Sequence, residues 1–542
     1  MSDRPIFTYQ TRLALTPDQA ATLDAYATLY GQAERSLFAA IQAGGTLNDL
    51  KRDFLPRFGL SARQFNALRV GLDGKIASLK ERRPELIAEA ESRIRQAAKV
   101  VAKLETKAPG TAKLHQKKRR LISLQDRLSA LKADQEAGTI RLCFGGKKLF
   151  RAQFDLDANG YADPGEWKST WQQARSRQFF VLGSQDETAG NQSCQATVVE
   201  AGTLALQLRL PNALAAQGKH LALTGLRFAY GHAQIVAALG SSQRIPGQTQ
   251  AGKAIVKRIG TALSYRFVRD PKGWRLFVST EARPVETVSR KALGAIGVDV
   301  NADPLAVAET DRFGNLIGTQ RLNLNLYGQT QHQARALIGE GAVALVAQAR
   351  IAQKPLVLEK LNFQQKKTEL EKSDPKQARL LSSFASNQIA ASIKAAAFRA
   401  GVEVIEVNPA YTSVIGAVNF AQQHGISVHQ GAAFAIARRG LGLSERPTVR
   451  EAHVPTRNGG HVTFALPVRN RAKHVWSFWS KVRTRLKAAH AAHFRCGAHQ
   501  FAPPPLSPAR PGVCAPWTST AKPRGANRSQ HGSESVESDV PF

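Results

Sequence analysis

The chain has 542 residues, 43% hydrophobic and 21% charged, which excludes a wholly disordered polymer and supplies apolar matter for roughly three or four domains. Lys and Arg number 75 against 41 Asp and Glu, a net charge of +34. Such an excess repels itself and ordinarily serves a polyanionic partner.

Cys143, Cys194, Cys496 and Cys514 are too scattered for a disulfide framework, so reduced thiols and a cytoplasmic setting are expected. The opening MSDRPIFTYQTRLALTP lacks the apolar core of a secretory signal. No apolar run reaches the length of a membrane span, so no membrane partner is expected.

Residues 5–15 alternate as a strand, and Thr16 before Pro17 is a helix N-cap. Helical periodicity then dominates to about residue 134. The clearest pair is 84–106 and 113–134, joined by KAPGT, a link short enough to force antiparallel packing. The second helix opens with KLHQKKRR. Its Lys117, Lys118, Arg119 and Arg120 are candidate phosphate contacts, with a solvated face as the alternative.

From 139 to about 290 the period changes to two. TIRLCF, ATVVEA, LALQLRL, ALSYRFV and WRLFVST read as strands of an antiparallel barrel or sandwich. Pairing them with the N-terminal strand makes the helical part an insertion. Within this stretch DLDANGYADPGE (155–166) matches a calcium-loop pattern through Asp155, Asp157, Asn159, Asp163 and Glu166. The entering KKLFRAQF reads as strand, and Pro164 and Gly165 interrupt the exit. A polar turn before a helix at Trp167 is therefore expected, and Ca²⁺ is not.

Between 294 and 440 the rhythm changes again. Strands are expected at 295–300, 305–311, 317–322, 355–361 and 402–407, with helices at 330–353, about 377–401 and about 428–440. The order β-β-β-α-β-α-β-α is that of an RNase H-like domain. Past 441 the pattern weakens until a basic helix at 476–495. There Trp476, Phe478 and Trp479 with Lys481, Arg483, Arg485 and Lys487 either hold nucleic acid, by stacking and phosphate contact, or pack the aromatics inward. HFRCGAH (493–499) with Cys514 is too loosely spaced for zinc. From 502 onward the Pro, Ser and Gly content is that of a disordered tail.

Two acidic residues stand out. Asp299 lies inside GVDVN, in an otherwise apolar strand, and Glu359 ends PLVLE. A buried carboxylate costs several kcal/mol unless paired or metal-bound. In an RNase H-like sheet the first and fourth strands are neighbours, so Asp299 and Glu359 would converge. Converging carboxylates suit Mg²⁺ or Mn²⁺ and phosphodiester hydrolysis.

At these residues the chain resembles the TnpB (OrfB) family of insertion-sequence transposons, relatives of the type V CRISPR effector nucleases. GVDVN resembles that family's first RuvC motif, VLEKL its second, and VEVIEVNPAYTS (402–413) the strand and Thr-Ser segment before its third. The start, YQTRLALTPDQAATLDAYATLYGQAER, resembles its N-terminal strand and helix. The resemblance covers residues 6–440.

It implies an α+β multidomain chain: a β-barrel wedge domain (1–30 and 139–290), an inserted helical recognition bundle (31–138), a RuvC-like domain with a C-terminal basic helix (291–500) and a disordered tail (501–542). It further implies guide RNA and target DNA as partners. The expected activity is Mg²⁺-dependent cleavage of guide-matched DNA by a transposon-encoded endonuclease in the prokaryotic cytoplasm or nucleoid. Two departures bear on this. Ser413 to His429 holds no cysteine, so the family's zinc ribbon is absent. The family's third motif, roughly DxNAAxNI, is HQGAAFAI here (429–436), with His429 in place of its acid. Imidazole is a poorer Mg²⁺ ligand than carboxylate. The alternative is thus a guided DNA-binding protein whose cleavage is weak or lost. Asp303 could replace the missing acid or cap a turn.

Overall fold

The computed structural model describes residues 5–199, 202–248, 254–283, 285–300, 305–326, 328–360, 386–456 and 460–495. The chain divides into two compact units, the first ending at Pro284 and the second beginning at Val285.

In the first unit β1 (Ile6–Arg12) leads into α1 (Pro17–Gln42), where Thr16 and Gln19 form a reciprocal capping box. Then follow α2 (Leu47–Arg57), α3 (Ala62–Lys107) and α4 (Ala112–Glu136). The ion pairs Lys118–Glu105 and Lys132–Glu91, both 2.8 Å, run in opposite residue order, so α3 and α4 are antiparallel as expected. The expected start at residue 84 is corrected: α3 continues through Pro84. Proline there removes one backbone donor. Tertiary packing overrides the loss, because Phe65, Leu68 and Leu72 anchor the earlier turns in the core and α4 holds the later ones.

Strands β2 (Gln178–Val181), β8 (Leu263–Asp270) and β9 (Gly273–Glu281) join β1 in an antiparallel sheet of order β1-β9-β8-β2. β3 (Cys194–Val198), β4 (Leu204–Arg209) and β5 (His220–Leu226) form a second sheet, and β6 (Gln243–Gln248) pairs with β7 (Ala254–Ile259). The expected barrel is therefore not closed among the described residues. The chain doubles back after β2: a Cβ on Gly183 would lie 2.2 Å from Leu263 O and 2.4 Å from Gly190 O. The buried Asn191 amide donates to Leu263 O at 2.9 Å, and its oxygen accepts from Ser193 N and Cys194 N. This turn sends β3 into its own sheet, while Phe179, Phe267 and Leu276 still share one core with Leu206 and Leu208.

Two expected strands are absent. TIRLCF (139–144) is a connection, with Arg141 Nε donating to Asp134 Oδ1 at 3.0 Å, and KKLFRA forms α5 (Lys147–Ala152). α6 (Pro164–Arg175) starts where the polar turn was expected, and α7 (His232–Leu239) was not foreseen.

The second unit is built on β10 (Ile296–Asp299), β11 (Leu305–Thr310), β12 (Leu316–Leu322), α8 (Gln331–Ala352), β13 (Leu356–Glu359), α9 (Ser386–Ala400) and β14 (Val404–Val407). The sheet order is β12-β11-β10-β13-β14. β10, β11 and β12 are antiparallel, whereas β13 runs parallel to both β10 and β14. The first and fourth strands are thus neighbours. Alternation sends Ile296, Val298, Leu356 and Leu358 to a core with α8 and α9.

The other face carries Ala295 and Val357, packed against Ile436 of α11 (Val428–Gly440). Between β14 and α11 lie α10 (Thr412–Ile415) and a π-helical turn, Gly416–Phe420. The region past 441 also holds a hairpin, β15 (Glu451–Pro455) and β16 (His461–Ala465), before α12 (Val475–Arg495). Among the described residues no helix is long and apolar enough to cross a membrane. Asp303, the start of the helix expected near 377, Cys496, His499, Cys514 and the tail lie outside the described residues.

Candidate functional site

Asp299 is the last residue of β10 and only 5% exposed. It shares a sheet face with Gly297, where a Cβ would stand 2.1 Å from Ala433 O and 2.4 Å from Ala437 N. Only glycine lets α11 lie this close, and the helix answers with its own small residues: Gly440 rests on Val357, and Gly431 meets Gly416. The close seat brings the first turn of α11 to the end of β10. Ser427 caps that turn, with its Oγ accepting from Gln430 N at 3.2 Å. Gln430 Nε2 donates to Thr319 Oγ1 of β12 at 3.0 Å, pinning the turn to the sheet.

His429 Nδ1 consequently lies 3.2 Å from Asp299 Oδ2. The imidazole is 46% exposed while the Asp299 side chain is 7% exposed. The helix N-terminus also favours a negative charge here, by up to about 1 kcal/mol.

Val298 pairs with Leu358 in the parallel register, so Asp299 and Glu359 are one step further on, side by side. Neighbouring strands are about 4.8 Å apart, and both residues alternate onto the α11 face. The Glu359 Oε1 accepts a hydrogen bond from the Thr412 hydroxyl. Thr412 is 1% exposed and opens α10. Before it, Tyr411 adopts a left-handed conformation (φ 64°). Arg439, in the last turn of α11, donates through Nη1 to Asn408 O and through Nη2 to Ala410 O at 3.0 Å. Burial pulls the Arg439 pKa below the ordinary arginine value, against the raising fields of Glu359 and Glu445.

Sequence reasoning named Asp299, Glu359 and His429 but missed Thr412 and Arg439. Thr412 stands in the Thr-Ser segment it singled out, whereas Arg439 lies just past HQGAAFAI, in the helix expected at about 428–440. Hydroxyl and guanidinium roles, however, depend on which carboxylate and carbonyls the fold delivers.

Among the described residues no group of three or more His, Cys, Asp or Glu is placed to hold a metal ion. Asp299 and Glu359 are hard oxygen donors, and Mg²⁺ is commonly held by one or two carboxylates with water and phosphate filling the other positions. The donor types here suit such an ion at two positions, whereas His429, a softer nitrogen donor, contacts Asp299.

The other candidates divide by exposure. Arg119 and Arg120 are exposed on α4, Lys117 is half-buried, and Lys118 pairs with Glu105 at 2.8 Å. On α12, Lys481, Arg483, Arg485 and Lys487 are exposed. Arg483 lies over the Tyr411 ring at 5.3 Å, and Arg485 donates to Ala465 O at 2.8 Å. Trp476 is 39% exposed, edge-on to Tyr411 at 6.3 Å. Trp479 is 1% exposed and donates Nε1–H to Glu445 O at 3.2 Å. That corrects the expectation for Trp479: together with Phe478 it packs inward, because the apolar flank of α12 covers the core on the α11 side of the sheet.

In the calcium-like loop the polar groups serve the turn. Asp163 Oδ1 accepts from Gly165 N at 2.6 Å and Glu166 N at 2.9 Å, and Glu166 Oε2 accepts from Ala162 N at 2.8 Å.

No family model and no curated protein matches the chain. Among solved structures it is similar to a Cas12f1–sgRNA–target DNA complex, at 10% identity and TM-score 0.32, covering 80% of this chain and 99% of that one. It is also similar to a CRISPR–Cas12f ternary complex, at 10% identity and TM-score 0.19, covering 80% and 98%.

Proposed function

We propose that the chain is an RNA-guided DNA-binding protein whose second unit is an RNase H-like (RuvC) nuclease centre, of the kind encoded by insertion-sequence transposons. The observation that carries this is the placement of Asp299 and Glu359 side by side at the ends of adjacent parallel strands. A buried aspartate with no task would be costly. Asp299 and Glu359 would hold a Mg²⁺ or Mn²⁺ ion, which when bound polarises a phosphate and activates water. His429 orients Asp299 through its Nδ1 contact. The cationic excess of +34 supports nucleic-acid binding through phosphate contacts.

The His429–Asp299 contact also favours a second reading, a guided binder with weak or no cleavage, since the imidazole stands where a third carboxylate would serve. Position 429 separates the two. If cleavage is weak because the third acid is missing, His429→Asp raises Mg²⁺-dependent cleavage of guide-matched DNA. If His429 is itself a working member, His429→Asp is neutral or harmful and His429→Ala is inactive. Asp299→Ala abolishes cleavage under either outcome and leaves RNA binding unchanged. Full cleavage by Asp299→Ala removes the nuclease centre, and sequencing of co-purified RNA tests guidance: a defined RNA supports it, a heterogeneous cellular mixture opposes it.

A further inference from the structure

Glu359 is the longer of the two carboxylate side chains. It ends a strand at the edge of a connection, and a glutamate side chain has one more rotatable bond than aspartate. Something must fix it if it is to share an ion with Asp299.

Its Oε1 accepts a hydrogen bond from the Thr412 hydroxyl. Thr412 is fully enclosed at 1% exposure, and the segment before it is held from several sides. Asn408 Oδ1 accepts from Ala410 N at 2.9 Å. Arg439 grips the carbonyls of Asn408 and Ala410. Tyr411 is in a left-handed conformation at φ 64°, which a bulky residue adopts only where its surroundings over-determine it. Its ring supplies that, lying edge-on to Trp476 at 6.3 Å and under Arg483 at 5.3 Å. A segment this tightly specified holds the Thr412 hydroxyl between two acceptors, the Glu359 carboxylate and, at 3.0 Å, the Pro409 carbonyl of the same turn.

We infer that Thr412 is a positioning residue, which fixes the Glu359 carboxylate for a divalent cation, and that Arg439 is the latch holding the 408–411 turn that presents it. The inference rests on the metal-centre reading above. Arg439 belongs to α11, the helix that also carries His429 over Asp299, so one helix would set both carboxylates, from its first turn and its last.

The test is Mn²⁺ binding, followed by electron paramagnetic resonance titration of the full chain with its co-purified RNA. Thr412→Val keeps the shape and removes the hydroxyl. It is expected to weaken Mn²⁺ binding by about tenfold, the low end of the cost of losing an outer-shell partner. Thr412→Ser restores the hydroxyl and binds as the unaltered protein does, a rescue that a purely structural role for the methyl would not give. Arg439→Lys keeps the charge, loses the two-carbonyl grip and weakens binding in the same direction. Melting temperatures show whether each variant folds; should Thr412→Val fail to fold, the comparison of Arg439→Lys with Thr412→Ser still decides. Unaltered Mn²⁺ affinity in folded Thr412→Val or Arg439→Lys overturns the inference. Asp299→Asn is the control that separates the two failures. If it abolishes Mn²⁺ binding while Thr412→Val does not, the positioning role alone falls; if it too has no effect, the metal centre itself falls.

Discussion

A single missing side chain sets the geometry around Asp299. Gly297 lies two residues before it on the same face, and the space its Cβ would need is taken by Ala433 O at 2.1 Å and Ala437 N at 2.4 Å. Both obstacles are helix backbone, which cannot swing aside as a flexible side chain would. Gly297→Ala must therefore lift α11 from β10 or shift the strand. The expected cost is about 1–3 kcal/mol, the usual range for overpacking a close contact, read as a lower urea midpoint. Because the lifted helix carries His429, the imidazole should also leave Asp299, seen as a changed His429 side-chain resonance. An unchanged midpoint would mean that α11 is not seated on β10 as described.

At the scale of elements, the first unit ties β1 to the β8–β9 turn through Arg12 and Asp270. Arg12 donates to both carboxylate oxygens at 3.0 Å, and Lys272 N donates to Oδ1 at 2.8 Å. The Arg12 hydrogen bond chiefly holds the Asp270 carboxyl below the ordinary aspartate range. Its folded pKa is thus lower than its unfolded one. The stabilisation is complete above the unfolded value, about 3.9, and is lost as pH falls through the folded value. Asp270→Asn should lower stability at pH 7 and flatten its decline below about pH 4. Chemical denaturation across that range is the check, and parallel curves for the two proteins would show that the fork does no thermodynamic work.

For the whole molecule, the net charge of +34 makes a prediction independent of any site. If nucleic acid is held through many phosphates, log affinity should fall linearly with log salt at roughly −0.7 per phosphate on a single strand and −0.9 on a duplex. Filter binding between 50 and about 200 mM salt should show a loss of about a thousandfold or more if six or more phosphates are engaged. A flat response would mean the cationic excess is not used for binding. The exposed basic face of α12 and the exposed arginines of α4 are where charge-removing substitutions should reduce that slope.

Much of the second unit was legible in the chain itself. Its strands are short apolar runs bounded by turn residues, and its helices carry strong 3.6-residue periodicity. Local pattern alone therefore places β10, β11, β12, β13, β14 and α11, and the run GVDVN marks Asp299 as a charge in an apolar strand. The capping box at Thr16 and Gln19 was half-written in the order Thr-Pro. The sequence could not settle how strands after residue 178 divide between sheets, because alternation specifies a buried face but not a partner strand. Gly183, Gly190 and Asn191 decide that by close approach and buried hydrogen bonds between distant segments. Nor could it show that α3 runs through Pro84, since a local breaker is overridden only by packing on both sides of it. The same holds for the site. Residue type marked the carboxylates, but the pairing of His429 with Asp299 and of Thr412 with Glu359 spans 130 and 53 residues. Contacts of that range exist only once β10 and β13 lie side by side and α11 is seated against them.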